Sequence, residues 1–291
     1  MSEQITVGVV NRFTVPPERY RIGRSLEGFG ARWVPLPLQQ LHLVLDASGQ
    51  VDIVLRAPDG RTRRLGDLAL DGVLWRVSEN VWPTAGPLVD ALVAGRAPLI
   101  NSRECLGVCA SKWATHVTST AAGLPSVPSQ VLLPGAVVPD MGTALTVVKP
   151  DAGASGRDVR TMRAGDPTDG TETRIAQPLV PIREGQDISV LVCGGRAVAA
   201  MHRTPGSGGV LVNNVEAGGT PHFTEMTGEA AELAEAVAQA VGAVVVRVDL
   251  VPWKGRLHVL DANGAPGLAF INSVSPVDCN DLTARAVLDA L

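Results

Sequence analysis

Apolar positions along the chain follow two different rhythms. In the first hundred residues, short apolar runs at 5–10 (ITVGVV), 51–55 (VDIVL) and 72–76 (GVLWR) predict strands, whereas residues 83–95 place Leu88, Leu92 and Val93 at helical spacing and stop at a glycine. The run at 61–65 follows 51–55 across Ala57-Pro58-Asp59-Gly60, a hairpin signal. A strand end at 98–101 leads into a helix over 110–122, closed by Gly123 with Pro125 just beyond. From Leu132 onward the runs turn β-branched: 145–148, 188–192, 196–201, 243–251 and 257–260. Cys193-Gly194-Gly195 joins two of them, its glycines suited to the positive φ of a tight hairpin. A single strong helix interrupts this sheet. Thr227 is its expected N-cap, Leu233, Val237 and Val241 form its apolar stripe, and Gly242 ends it. Alternating strand and helix, followed by antiparallel sheet carrying a helix, predicts an α/β part followed by an α+β part.

Composition narrows the function classes. The 291 residues are 45% hydrophobic, 19% charged and 3% aromatic, with 25 Lys and Arg against 29 Asp and Glu, a formal net charge of −4. That balance excludes a disordered polyampholyte, and it provides neither the basic field nor the aromatic platform of a nucleic-acid binder. No run approaches the roughly 18 apolar residues of a membrane span. The opening MSEQITVGVV lacks a basic region ahead of a long apolar stretch, so a cytoplasmic protein without a secretory signal is expected. Cys105, Cys109, Cys193 and Cys279 lack paired zinc-ligand spacing and read as core thiols.

Candidate chemistry lies in four islands. Lys112 stands near the start of a helix and Lys149 at the end of a strand, just before Pro150 and a glycine loop; alone, each lysine reads as a surface charge. The loop Asp151-Ala152-Gly153-Ala154-Ser155-Gly156 is small enough for its N–H groups to cradle phosphate oxygens, although no Gly-Lys-Ser/Thr follows and a plain turn also explains it. Asp249 lies near the end of one strand, and Asp261 and Asn263 share a face at the end of the next. They form a hard-oxygen set of the kind magnesium takes when it also holds phosphates. Arg203 follows a strand, and Asn214 lies in a glycine-studded loop.

In order along the chain, these islands resemble the ATP-grasp superfamily, and within it the RimK-like carboxylate-amine ligases, from about Leu99 to the end. The matching motifs are Ile100-Asn101-Ser102, Lys112, Thr115 and Gly123-Leu124-Pro125, then Val147-Val148-Lys149-Pro150 with Gly153, Gly156 and Val159. Gln177-Pro178-Leu179-Val180 resembles the hinge, Asp187 through Arg203 the following strand pair, and Val248-Asp249-Leu250 with Val259-Leu260-Asp261-Ala262-Asn263 and Pro266-Gly267 the closing motif. The resemblance implies an ATP-grasp fold in three parts. These are a small α/β N-terminal domain (1–100), a central subdomain with a glycine-rich lid (101–180), and a C-terminal antiparallel-sheet subdomain with a magnesium site (181–291).

The resemblance also implies ATP and magnesium as cofactors, small-molecule carboxylate and amine substrates, and no nucleic-acid or membrane partner; a homo-oligomer is compatible with it. Lys149 and Arg203 would stabilise the transferred phosphoryl group, and Asp249, Asp261 and Asn263 would hold the metal. Lys112, Gly153, Ser155 and Gly156 would surround the phosphates. Gln177, with the backbones of Leu179 and Val180, would face adenine, and Asp187 the ribose. Arg76, Ser189, Asn214 and Gly267 are implied as weaker substrate contacts.

Two departures concern the substrate. Ser189 stands where relatives carry an arginine, and Val212-Asn213-Asn214 where they carry Arg-x-Asn, so a pocket for a neutral or amphoteric amino-acid-like molecule is expected unless Arg76 or Arg183 restores the charge. An intramolecular ring closure in the manner of D-cycloserine synthetase and a non-catalytic nucleotide-binding module are the competing readings. No Gly-x-Ser-x-Gly elbow and no Gly-x-Gly-x-x-Gly after a first strand is present, which excludes serine-hydrolase and dehydrogenase readings.

Overall fold

The computed structural model describes residues 4–12, 20–78, 81–95, 97–153, 156–180, 187–204 and 219–291. The first sheet is parallel, in the order β2 (Arg32–Pro37), β1 (Thr6–Asn11), β6 (Gly72–Trp75), β7 (Leu99–Ile100). Buried on both faces, β1 reads as an unbroken apolar run, as a central parallel strand should. Helix α1 (Arg21–Gly28) packs Ile22 and Leu26 against one face, and α2 (Trp82–Ala94) sets Leu88, Val89 and Leu92 against the other. The expected hairpin belongs to a separate three-stranded sheet, β3 (Leu41–Leu45), β4 (Val51–Arg56) and β5 (Thr62–Arg64).

Helices α3 (Arg103–Ala110) and α4 (Lys112–Ala121) follow, each N-capped by a serine: Ser102 Oγ accepts from Cys105 N and Ser111 Oγ from Ala114 N. The expected single helix over 110–122 is therefore the second of a pair. Beyond it lies a small antiparallel sheet in the order β10 (Arg160–Met162), β9 (Thr146–Pro150), β11 (Arg174–Pro178), β8 (Gln130–Leu132).

The last sheet runs β14 (Thr220–Phe223), β13 (Arg196–Thr204), β12 (Ile188–Cys193), β15 (Val245–Trp253), β16 (Arg256–Asn263), all antiparallel. The hairpin turn between β12 and β13 places Gly194 and Gly195 at φ 56° and 75°, which side chains resist. Helix α5 (Gly228–Val241) is capped by Thr227 and closed by Gly242 at φ 68°. Its stripe of Leu233, Val237 and Val241 covers Val190, Val192, Val246, Val248 and Leu250, with Cys105 and Cys109 of α3 in the same core. Thus α3 packs with the last sheet. All four cysteines are buried thiols.

Two short helices close the chain, α6 (Ala269–Val274) and α7 (Cys279–Asp289). The last of them joins the parallel sheet to the five-stranded one: Ala284 and Val287 enter the core of the first, and Cys279 and Ala286 that of the second. Asn101 strengthens the same junction. Its amide nitrogen donates to Val245 O (2.6 Å) and Gly264 O (2.5 Å), and its oxygen accepts from Val244 N (2.7 Å) and Val245 N (3.0 Å). No described helix is long and apolar enough to cross a membrane.

Candidate active site

Strand alternation sorts the last sheet into an apolar face under α5 and an ionic face opposite it. On the ionic face, cross-strand register places Asp249 between Ser189 and Asp261, and Arg247 opposite Asn263. Ser189 Oγ donates to Asp249 Oδ1 at 2.5 Å. Arg203 bridges two carboxylates, Asp187 at 2.7 Å and Asp249 at 3.2 Å, and Arg247 Nε lies 3.4 Å from Asp249 Oδ1. Burial would raise the pKa of Asp249, but Arg203, Arg247 and the Ser189 hydroxyl hold it at about 2. Asp187 shifts upward, because its burial, with repulsion from Asp249, outweighs the pull of Arg203. Its carboxylate was expected toward a ribose; the structure commits it to Arg203.

Two lysines approach this face. Lys149, at the end of β9, is 7% exposed, and burial lowers its pKa to about 8 against the opposing pull of Asp261, with Lys112 lowering it further. Lys112, the first residue of α4, donates from Nζ to Gly153 O (2.5 Å) and sits 3.2 Å from Asp261. Its position is set by Asp151, whose carboxylate accepts from Trp113 N and Ser111 Oγ, both at 2.8 Å, while Asp151 O accepts from Lys112 N. Asp151 therefore ties the glycine loop to the N-terminus of α4, a favourable place for a carboxylate. Gly156 takes φ 66°. Ala154 and Ser155 lie outside the described residues, as do Arg183, Val212, Asn213 and Asn214.

Val180 packs with Val127 and Val251 in an apolar cluster that Trp253 and Leu260 extend. The N–H of Leu179 donates to Thr143 Oγ1 (3.2 Å) and Leu145 O (3.3 Å), so it is engaged within the protein. Gln177, expected toward adenine, donates from Nε2 to His116 Nε2 (2.7 Å) and Ser129 Oγ (2.8 Å). With Nε2 accepting, the His116 proton is assigned to Nδ1, facing Ser126 Oγ at 2.6 Å. Burial and then Lys149 push the His116 pKa down to about 3, so the ring is neutral. Sequence reasoning missed this chain, since a lone histidine and two serines on separate elements carry no local signal.

Arg76 stands just past β6, its N–H on Val10 O, and its charge reaches Cys193, whose burial pushes the thiol up to about 11. Gly267 is exposed, with open space where a side chain would be. Beside Ser189, Arg247 reaches the same Asp249 carboxylate from the neighbouring strand.

The residues present fit a hard divalent cation with an anionic ligand. Asp249, Asp261 and Asn263 offer oxygens from adjacent strands, while buried Asn263 Nδ2, Arg203 Nε and Arg247 Nε have no hydrogen-bond acceptor. No group of three or more His, Cys, Asp or Glu suited to a metal occurs among the described residues, so Asn263 is needed beside Asp249 and Asp261 to make a set of three.

Comparison with known proteins supplies the family and the fold. A family model described as the RimK-like ATP-grasp domain matches residues 138–287. A probable alpha-L-glutamate ligase of Xanthomonas euvesicatoria is 38% identical over 104 residues, covering 36% of this chain and 35% of that one. The tetrahydromethanopterin:alpha-L-glutamate ligase of Methanosarcina acetivorans is 28% identical over 210 residues, covering 65% of this chain and 61% of that one. The matches thus span about a third and about three fifths of these relatives. In fold, the chain resembles a RimK domain ATP-grasp protein from Sphaerobacter thermophilus (TM-score 0.69, 15% identity, 97% and 98% of the two chains). It also resembles the D-cycloserine synthetase DcsG (TM-score 0.70, 16% identity, 98% and 99%).

Proposed function

The chain belongs to the RimK-like ATP-grasp family, and on that premise we propose that it is an ATP-dependent carboxylate-amine ligase acting on a small amino-acid-like substrate. The observation that carries the reading is the convergence of Lys112, Lys149 and Arg203 on Asp249 and Asp261, with buried donors of the same face left without acceptors. Buried donors left open on this face could be filled by phosphate oxygens.

In this reading a substrate carboxylate oxygen attacks the terminal phosphorus of ATP. The new O–P bond forms as the bond to the bridging oxygen breaks, and ADP departs. An amine then attacks the acyl phosphate carbon, the C–N bond replaces the C–O bond, and phosphate leaves while the nitrogen gives up a proton. No side chain serves as a nucleophile. Lys149 and Arg203 hold positive charge where phosphoryl oxygens gain negative charge, fixed in place by the sheets and by Asp187 and Asp249. Asp249, Asp261 and Asn263 would hold magnesium, which would supply positive charge against the phosphates. Lys112 would steady the phosphates beside Gly153, and the apolar group of Val180, Val251 and Trp253 would receive the base. Closure of the Gly153–Gly156 loop would exclude water from an acyl phosphate that water destroys. The same reading divides the chain at about residues 100 and 180.

Incubation with ATP, magnesium and pooled amino acids and small carboxylates, with ADP and AMP assayed separately, tests the proposal. Substrate-stimulated ADP and phosphate are expected; AMP and pyrophosphate would refute the acyl phosphate route.

A further inference from the structure

The small sheet of β3, β4 and β5 treats its two edges differently. An open strand edge pairs with other chains unless proline, charge, brevity or a covering segment blocks it. Among the described residues, every sheet edge but one is blocked in one of these ways. Pro35 and Pro37 lie on β2, Pro221 on β14, Arg160 on β10, and exposed Arg63 and Arg64 on β5. Strands β7 and β8 are two and three residues long, and β16 is covered where Val127 N–H donates to Val259 O and Val259 N–H to Pro125 O. Strand β3, LHLVL, carries no proline, acid, lysine or arginine, and Leu43, Val44 and Leu45 stand 41%, 42% and 70% exposed along it. Val51 of β4, paired with Leu45, is exposed as well.

Backbone geometry decides what this edge accepts. At the turn from β3 to β4, Asp46 N–H donates to Gln50 O and Asp46 O accepts from Gly49 N–H, so the backbone of Asp46 faces β4. Antiparallel pairs alternate. With Leu45 opposite Val51 and Leu43 opposite Ile53, the backbone groups of Leu41, Leu43 and Leu45 therefore face outward. Of these, the Leu41 N–H is already taken by Leu38 O. A second β3 laid antiparallel about a two-fold axis at Leu43 matches the donors and acceptors that remain: Leu43 exchanges N–H···O bonds with Leu43 of the other copy, and each Leu45 N–H meets the Leu41 O opposite it. A register shifted by one residue would set outward groups against inward ones. The side chains suit the same axis. Leu45, the most exposed, comes beside Leu41 of the other copy, which packs on the core beneath the sheet, and the acid Asp46 comes toward Gln40 instead of its own counterpart. An unrelated extended peptide would not require this symmetry, which favours a second copy of the chain.

We propose that β3 is a self-pairing edge through which two copies of this chain form a dimer, joining their small sheets into one continuous sheet. The strand is about 17 Å long. An interface built on it is small, so a micromolar dimer in exchange with monomer is expected. The contact involves none of the ATP-site residues and does not depend on the ligase reading.

Sedimentation velocity of the full chain from about 1 µM to about 200 µM should show monomer giving way to dimer. Over the same range, hydrogen exchange followed by NMR should slow at Leu43 and Leu45, and stay unchanged at His42 and Val44, whose N–H groups face β4. Leu43→Lys and Leu43→Glu each set like charges across the axis and should weaken the dimer at least about tenfold, with melting temperatures near wild type because the side chain is exposed. Mixed in equal amounts, the two variants should associate again, since an axis at Leu43 brings the substituted positions together. Should either fail to fold, Leu45→Lys at the most exposed position tests the same edge. A monomer at every concentration, a dimer untouched by these substitutions, or variants that do not recover on mixing overturn the proposal. Protection of Leu43 and Leu45 that appears only on adding a synthetic peptide of alternating leucine and threonine also overturns it, and makes the edge a peptide-binding site.

Discussion

Raising the pH should loosen nucleotide binding through Lys149. Burial holds the ammonium at a pKa of about 8 in the free protein, and a phosphate beside it favours the charged form, raising the pKa in the complex. The sign follows. Below about pH 8 the proton is already in place and affinity is flat, while above it binding must take up a proton, so affinity falls as pH rises. Nucleotide phosphates, with a second pKa near 6, keep a constant charge over this range. Scaling by the charged fraction, the rise from about pH 7.5 to about pH 9.5 should weaken ADP binding about 25-fold, or about 1.9 kcal/mol. The stability of the free protein moves oppositely. A lysine depressed below its unfolded value makes the unfolded chain the greater proton binder between about pH 8 and 10, so Lys149 adds stability there as pH rises, and weaker binding would not reflect unfolding through this group. Titration calorimetry of ADP with magnesium across the pH series, in buffers of different ionisation enthalpy, measures both the affinity and the proton count. Arginine stays charged throughout, so Lys149→Arg should give a flat profile. A flat wild-type profile, or an arginine variant that declines in parallel, refutes the assignment.

Asp261→Ala and Asn263→Ala should each lower substrate-stimulated ADP release at least about a hundredfold while leaving the melting temperature within a few degrees, since Asp261 is half-buried at a strand end and Asn263 Nδ2 has no protein acceptor to lose. Retained turnover at limiting magnesium would remove them from the metal site. Asn101→Ala should destabilise the fold by about 3–5 kcal/mol in urea unfolding, because Val245 and Gly264 each lose a donor and Val244 and Val245 an acceptor in a buried junction; a loss below about 1 kcal/mol would contradict that. Thr227→Ala should cost about 1 kcal/mol by the same measurement, the worth of the hydroxyl accepting from Ala230 N.

The strands and helices legible in the sequence are those whose side-chain pattern matches their own packing. Helix α5 announces itself by cap, stripe and closing glycine, and β12 and β13 by the glycine pair between them. Helix α1 and strand β2 escaped for physical reasons. The helix is eight residues long with no side-chain cap, and β2, RWVPLP, carries two prolines that its edge position tolerates. Helix α3 merges in sequence with α4, because the break between them is a single residue, Ser111, serving as the C-cap of one and the N-cap of the other.

The candidate site divides in the same way, and Arg247 shows where linear reading stops. Polar groups beside apolar runs stand out because burial makes them costly, so Asp249, Asp261 and Asn263 could be picked from sequence, although Asp249, expected near a strand end, lies at the middle of β15. Arg247 sits inside AVVVRVDLV and looks like an interruption. Yet the signal was present: in a strand whose Val246, Val248 and Leu250 pack one core, period-two alternation forces Arg247 onto the face of Asp249. A missing cation should therefore be sought along the face of the sheet, across strands and at two-residue steps, as well as at the motif position where relatives keep it. The Ser126–His116–Gln177–Ser129 chain offers no such rule. Its members come from a helix, two loops and a strand, and only the fold brings them to hydrogen-bonding distance. Residues linked by strand periodicity can be inferred before a structure is known, whereas residues linked by the packing of separate elements require one.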